Sequence, residues 1–512
     1  MATSINETEI KYELPPGLAL PKLDTLASIS RVRRAATEDL EAQYFDTDDL
    51  RLIHAGVTLR RRVGGHDAGW HLKTPVGPHT RREIHSPLRD GDDLQVPDEL
   101  AELILVHTRG KSVRPQAVIK TQRQRLLLLG KSGNSLAELA IDDVRAHSEG
   151  GDPTARGWQE VEFELTGGDG ELLREADQCL LLGGLTRSAQ LAKFARAMGV
   201  GTLDRPAGQP ARQALSASSS AGDVITAYAA EQIATMKALD PAVRGDQPDA
   251  VHQMRIAVRK LRSTLRTFGK LIWRQDVRPV ADELKWLGTE LGGARDAEVL
   301  FGHLRSSVEA LPAELVLGPV NARIQGHFAH VSAQAKETLT AALRSQRYFE
   351  LLDQLDSSVE GPALTRAAGR PAAAVLPAAV RRSYRRADRR MDRAQRTLGG
   401  PEQDAALHRA RRAAKRTRFA AEAVGPAFGR PATRFARRLK KVQSTLGDHQ
   451  DSVIARQVER ELAIAAAQST ENAFSYGLLY QSDADASVRA IARGQRAWVK
   501  ASRRKDRKWL KT

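Results

Sequence analysis

The chain has 512 residues, 41% of them hydrophobic, a single cysteine and a formal net charge of +17. Such a length exceeds one core and points to about two to four domains, while Cys179 by itself excludes an intrachain disulfide and any cysteine-based metal site and makes a reducing cytoplasm the expected home. No basic region followed by an apolar core opens the chain, and apolar runs such as Leu126 to Leu129 and Leu180 to Leu182 fall far short of a membrane span, so a soluble, unexported protein is expected.

From Glu7 to about Met198, short alternating stretches broken by Gly, Pro and Asp read as β-rich. Strands are expected at 6–14, 57–63, 69–74, 81–87, 117–129, 136–144 and 158–166, and helices near 22–34, 97–107, 170–183 and 187–197. In the first strand, Glu7-Thr8-Glu9-Ile10-Lys11, alternation puts Glu7, Glu9 and Lys11 on one face. Two carboxylates at that spacing suit a hard cation such as Mg²⁺ or Mn²⁺, and the ammonium suits the phosphate that such a cation carries. Charges recur on alternate positions of the later strands: Arg60 and Arg62, Arg81 and Glu83, Arg123 and Arg125, then Glu160, Glu162 and Glu164. One charged face on one strand is an ordinary solvated face of an antiparallel sheet. Repeated over seven strands, it reads as a sheet closed into a barrel with the charges lining a wet tunnel. Cations facing one another there at ~6 Å would repel by ~3 kcal/mol per pair at an effective dielectric of about 20, so the lining implies an anion inside.

These residues resemble the CYTH superfamily, the triphosphate tunnel metalloenzymes that include class IV adenylate cyclases, thiamine triphosphatases and inorganic triphosphatases. Glu7 to Lys11 fits the family's ExExK signature. Tyr44-Phe45-Asp46-Thr47, Leu59-Arg60-Arg61-Arg62, Leu72-Lys73, Arg81-Arg82-Glu83, Leu139-Ala140-Ile141-Asp142 and Glu160-Val161-Glu162-Phe163-Glu164 look like its later motifs in order, and Ala192-Lys193-Phe194 resembles its closing Ser-Lys-Tyr. The resemblance spans about residues 5–198. It implies divalent-metal ligands at Glu7, Glu9, Glu162 and Glu164, and a triphosphate clamp of Lys11, Arg60, Arg62, Lys73, Arg123, Arg125 and Lys193. Lys11 and Asp142 are the candidate catalytic residues, Asp142 holding a second ion or orienting water.

Residues 201–221 are rich in Gly, Pro, Ala and Ser and read as a linker between a domain at 1–200 and one at 222–512. The charge divides there. Residues 1–200 hold 26 Lys and Arg against 30 Asp and Glu, a net −4, so the rest carries 53 against 32, a net +21. That surplus calls for a polyanionic partner. Beyond the linker the chain turns Ala-, Leu- and Arg-rich with helical periodicity, and it repeats. His252-x-x-Arg255-x-x-x-Arg259-Lys260-x-Arg262 returns as His408-x-x-Arg411-Arg412-x-x-Lys415-Arg416-x-Arg418. Tyr228 and Tyr384 each precede their histidine by 24 residues, and Leu291-Gly292-x-x-x-Asp296 returns as Leu446-Gly447-x-x-x-Asp451, with Lys285 and Lys440 each six residues upstream. An offset held at 155–156 residues is a duplication, with copies at about 222–360 and 375–512. At 100° per residue, His252, Arg255, Arg259, Arg262 and Arg266 share an arc of about 80°. A like-charged stripe costs helix stability, and its presence in both copies argues for a function. The run of arginines from Arg381 to Arg396 adds a helix with charge round most of its circumference, expected not to be buried.

This half resembles the CHAD domain, an α-helical domain often fused behind a CYTH domain. The resemblance implies two pseudo-symmetric helical units that bind inorganic polyphosphate, here through His252, Arg255, Arg259, Lys260, Arg262, Lys285, His408, Arg411, Arg412, Lys415, Arg416 and Lys440. Metal ligation by His252 and His408 is the less favoured reading, because neither has a carboxylate or second histidine at ligand spacing; a phosphate contact or a packing hydrogen bond is favoured over it. The stripe has no interleaved aromatics of the kind that single-strand readers use, which makes nucleic acid the less favoured partner. The expected whole is an α+β protein, an antiparallel β-barrel tunnel followed by an all-α duplicated helical bundle. Its expected work is metal-dependent hydrolysis of inorganic triphosphate joined to binding of long-chain polyphosphate, with polyphosphate granules as a place of action. A class IV cyclase, a thiamine triphosphatase and a non-catalytic polyphosphate-binding protein are the alternatives.

Overall fold

The computed structural model describes residues 3–65, 67–77, 79–88, 94–148, 156–190, 192–200 and 215–511, and the chain divides into two compact units, Met1–Ala207 and Gly208–Thr512. Most of the expected linker, residues 201–214, lies outside the described residues. Its end is ordered: Ser220 caps the first helix of the second unit, and Ala217 and Ser219 accept backbone hydrogen bonds from Ala373 and Ala372.

The first unit is built from β1 (Thr3–Glu13), β2 (Arg31–Arg34), β3 (Glu38–Asp46), β4 (Thr58–Val63), β5 (Gly69–Pro75), β6 (Thr80–Ser86), β7 (Arg114–Leu129), β8 (Ser135–Ser148), β9 (Arg156–Leu165) and β10 (Thr186–Arg187). Eight of the strands run in the order β1-β6-β5-β4-β3-β7-β8-β9, every described pairing antiparallel, and β1 pairs with β9 to close the barrel. Strands β2 and β10 extend it outside the ring by pairing with β7 and β1.

The alternation is apolar outside and charged inside. On β9, Val161 and Phe163 join the core under the helix Gly170–Leu182 (α3), packing with Ile10, Tyr12, Leu139 and Leu180, while Glu160, Glu162 and Glu164 take the other face. Phe45, Leu59, Trp70 and Leu72 pack likewise under α1 (Arg51–His54) and α2 (Asp98–Thr108). The last helix of this unit, α4 (Lys193–Ala197), seats Phe194 in a third cluster with Tyr44, Ile119, Val144 and Trp158.

Three expectations fail locally. Residues 22–34 are not a helix: a 3₁₀ turn at Leu23–Thr25 leads to β2, whose Arg31 to Arg34 pair with Leu129 to Leu126. Strand β3 has no counterpart among the expected strands, because Glu38, Asp39 and Glu41 depress its strand propensity and only pairing on both edges makes it one. The expected helix 187–197 shrinks to α4 behind β10.

The second unit is helical: α5 (Ala221–Arg244), α6 (Ala250–Ile272), α7 (Arg278–Glu309), α8 (Val320–Arg344) and α9 (Gln346–Ser357), then α10 (Ala372–Arg396), α11 (Gly400–Ala423), α12 (Gly425–Phe428), α13 (Arg430–Gln468) and α14 (Phe474–Ala501). The residues of the two sequence copies fall on corresponding helices, Tyr228 and Tyr384 on α5 and α10, His252 and His408 on α6 and α11, Asp296 and Asp451 on α7 and α13. A shared core of Leu304, Phe328, Ala455, Leu462 and Tyr476 joins α7 and α8 to α13 and α14. The arginine-rich α10 corrects the sequence reading, since one side of it is buried through Leu376, Val380, Tyr384, Ala387, Met391 and Ala394, and the arginines share the rest. No helix among the described residues is long and apolar enough to cross a membrane.

Candidate active site and basic helix track

The inward faces of the barrel enclose a cavity of about 390 Å³. Lining it are Glu7, Glu9 and Lys11 from β1, Arg60 and Arg62 from β4, Lys73 from β5, Arg123 and Arg125 from β7, Glu162 and Glu164 from β9, and Lys193 from α4. Strand register explains the neighbours: Lys11 lies opposite Glu162, Glu9 opposite Glu164, Lys73 opposite Glu83 and Arg123 opposite Asp142.

Around Glu162 the charges interlock. Arg123 Nη2 donates to Glu162 Oε2 at 2.6 Å and, with Nε, grips both oxygens of Asp142 at 2.6 and 2.8 Å. Lys193 Nζ stands 2.8 Å from Asp142, 2.7 Å from Glu160 and 2.6 Å from Glu162, and Lys11 donates to the same Glu162. Against burial, which pushes it up, Lys11, Lys193 and Arg123 hold the Glu162 carboxyl well below the usual range. Asp142 is wholly buried behind this lining, so in this arrangement it orients Arg123 and Lys193.

A second acidic group has too little positive charge. Burial, a hydrogen bond shared with Glu83 and nearby carboxylates push Glu7 up to about 8, although Lys73 lies 2.5 Å away. Burial also pushes Glu164 up to about 7, with Glu9, Glu162 and Glu138 opposing its ionisation. Glu83 itself is held low, burial being outweighed by His71 Nδ1 at 2.7 Å, Glu7 and Lys73. Towards the same side, Arg62 pairs with Asp67, and Arg125 lies 3.5 Å from Glu38 and 3.6 Å from Glu138. Sequence reasoning passed over Glu83, Glu138, Glu160 and His71 as site residues. The alternation that exposed Glu7 and Glu9 marks Glu83 and Glu160 too, and it also reaches His71, two residues before Lys73 on β5, and Glu138, four before Asp142 on β8.

The donors suit a hard divalent cation. The oxygens of Asp142, Glu160 and Glu162 all lie within 4.8 Å of one another, with the Lys193 ammonium as their present counter-ion. Glu7, Glu9 and Glu164 form the adjoining set, in which two carboxyls are disposed to hold protons where a cation would relieve them.

In the second unit the stripes of α6 and α11 meet. Lys415 has Arg259, Arg411, Arg255 and Arg418 as its charged neighbours, and Arg416 has Arg386, Arg266, Arg390 and Arg262. Burial and these neighbours push Arg259 and Arg416 down to about 10. Arg262 lies near Arg412. The duplicated Gly-x-x-x-Asp motifs serve these arginines. Arg255 reaches α7, where Asp296 accepts from it at 2.6 and 3.1 Å, and a Cβ at Gly292 would already touch its guanidinium at 3.5 Å. In the other copy a Cβ at Gly447 would stand 3.3 Å from the Arg411 guanidinium, which lies near Asp451. His408 Nδ1 is 2.6 Å from Gln450 Oε1, and burial and Arg295 keep His252 disposed to be neutral. Lys260 projects about 80° to the other side of His252 from the stripe. Lys285 and Lys440 are exposed on α7 and α13, and no interaction among the described residues joins them to it.

Two family models match the chain, the CYTH domain over residues 6–194 and the CHAD domain over residues 227–460. The uncharacterized protein Rv2226 of Mycobacterium tuberculosis is 38% identical over 500 residues, 94% of each chain. Among solved structures, PptA from Streptomyces chartreusis is similar at 22% identity and a TM-score of 0.47 over 55% of this chain and 99% of its own. The CHAD domain from the plant Ricinus communis is similar at 27% identity and a TM-score of 0.40 over 59% and 95%.

Proposed function

Starting from a chain that belongs with the proteins in which a CYTH domain is fused to a CHAD domain, we propose metal-dependent hydrolysis of inorganic triphosphate in the barrel and polyphosphate binding by the helices. The observation that carries the first half is the convergence of Glu7 and Glu9 with Lys11, Lys73, Arg60, Arg123 and Lys193 on one cavity. A divalent cation held there by Glu7, Glu9, Glu162 or Glu164 supplies neutralisation of phosphate oxygens and a water of lowered pKa. The remainder falls to the chain. Arg60, Arg62, Lys73 and Arg125 clamp phosphate oxygens with fixed donors. Lys11, Arg123 and Lys193, now engaged with Glu162 and Asp142, gain a phosphate as an alternative partner and offset charge on the leaving group.

The meeting of the α6 and α11 stripes supports the second half. Among the described residues, the buried Nε atoms of Arg255, Arg259, Arg262 and Arg411 find no hydrogen-bond partner, a cost that an anion bound across the stripes would relieve. A phosphate-release screen over tripolyphosphate, longer polyphosphate, ATP and thiamine triphosphate with Mg²⁺ or Mn²⁺ tests the enzyme half. Tripolyphosphate should be the best substrate, activity should vanish with EDTA, and little cyclic AMP should form. Release that survives EDTA would sink the metal reading, and a preference for ATP or thiamine triphosphate would sink the substrate.

A further inference from the structure

The duplication places Lys415 where the first copy has Arg259, and α11 packs on α6 so that Arg259 is among the cations that bear on Lys415. Around the pair stand Arg255 from α6 and Arg411, Arg418 and His408 from α11. The nearby acids are already directed elsewhere, Asp296 to Arg255, Glu422 to Arg418 and Asp451 towards Arg411. Lys415 has no ion pair among the described residues, and its ammonium position lies 6.0 Å from the Phe419 ring. Arg418 stands over the same ring at 5.0 Å, so cations gather round an ammonium without an ion pair and repel it, and a guanidinium cannot relieve the repulsion by losing its proton at neutral pH. A lysine can.

Resting on the polyphosphate reading, we propose that Lys415 is the proton-coupled member of the track, neutral while the track is empty and an ammonium once a polyanion lies across α6 and α11. On binding, the Nζ lone pair takes one proton from the solvent, and the new N–H donates to a phosphate oxygen. Burial and the surrounding arginines push Lys415 down to about 6 in the anion-free protein, which fits this role. Substituting arginine at Lys415 would keep the charge permanently and abolish the coupling.

The test is calorimetric titration of the full chain with long-chain inorganic polyphosphate at pH 7.5, in buffers of different ionisation enthalpy. The wild type should take up about one proton more per bound chain than Lys415→Arg, and its affinity should fall about ten-fold per pH unit between pH 7 and 9, against less than about two-fold for Lys415→Arg. Lys415→Met should bind more weakly and without that uptake. Should the methionine variant fail to fold, the arginine variant decides alone. Equal uptake and equal pH slopes in wild type and Lys415→Arg would overturn the inference while leaving polyphosphate binding intact. Absence of any binding by the wild type would overturn the polyphosphate reading and this inference with it.

Discussion

At the scale of single residues, the barrel separates side chains that would hold ligand from those that hold the holders. Glu9 faces the cavity beside Lys11 at 3.3 Å, so Glu9→Ala should lower phosphate release by about 100-fold or more without changing the melting temperature greatly. Full activity in that variant would remove the carboxylate from the mechanism. Asp142 behaves differently, because its loss would strand Arg123 and Lys193, both of which it neutralises inside the wall. Asp142→Ala should therefore cost about 3–5 kcal/mol of stability, read from denaturant unfolding, before any catalytic effect is considered. Glu7 and Glu164 give a pH signature. Their folded values of about 8 and 7 exceed the ordinary carboxyl value of 4.5, so the metal-free fold holds extra protons and loses that contribution as pH rises through this window. A divalent ion must displace those protons at pH 6 and meets fewer at pH 8.5. The melting-temperature gain on adding Mn²⁺ should thus be larger at pH 8.5, and equal gains at both values would exclude these two carboxyls as ligands.

At the scale of elements, what the sequence made legible depended on whether one strand or helix carried its own pattern. Glu160, Glu162 and Glu164 alternate with Val161 and Phe163, so β9 announces both faces at once. Strand β3 does not, since Glu38 to Glu41 look solvated and only its two neighbours explain them. Residues 22–34 misled because Leu23, Leu26 and Ile29 mimic helical spacing while packing, in fact, against the outside of the barrel. On the helices, the duplicated stripe was legible, whereas the meeting of its two copies is a tertiary fact. That meeting makes a prediction about elements. Reversing Arg255 and Arg259 to Glu on α6 should weaken long-polyphosphate binding strongly while short chains remain partly held by α11, because a tethered second contact acts through effective concentration. Reversal on both helices should remove binding, and an unimpaired double-copy variant would place the polyanion elsewhere.

At the scale of the whole molecule, charge is partitioned with the fold, net −4 before residue 201 and net +21 after it. Salt should discriminate between the two proposed activities. Counterion release makes affinity along a basic track fall steeply with added salt, whereas an enclosed cavity is screened less. Polyphosphate affinity should drop by about 10-fold or more between 50 and 200 mM salt while the Michaelis constant for tripolyphosphate changes several-fold less. Parallel salt dependence would argue that one surface serves both. The closure of the barrel carries a consequence for synthesis. Lys11 meets Glu162 across 151 residues, and the β1–β9 seam cannot form until β9 has left the ribosome. At about 5–20 residues per second, the first strand waits roughly 8–30 s with one edge unpaired, and so slow a long-range closure is where misassembly competes with folding. The strand that carries Glu7, Glu9 and Lys11 is made first and completed last, so a nascent chain has no finished cavity before its barrel is whole.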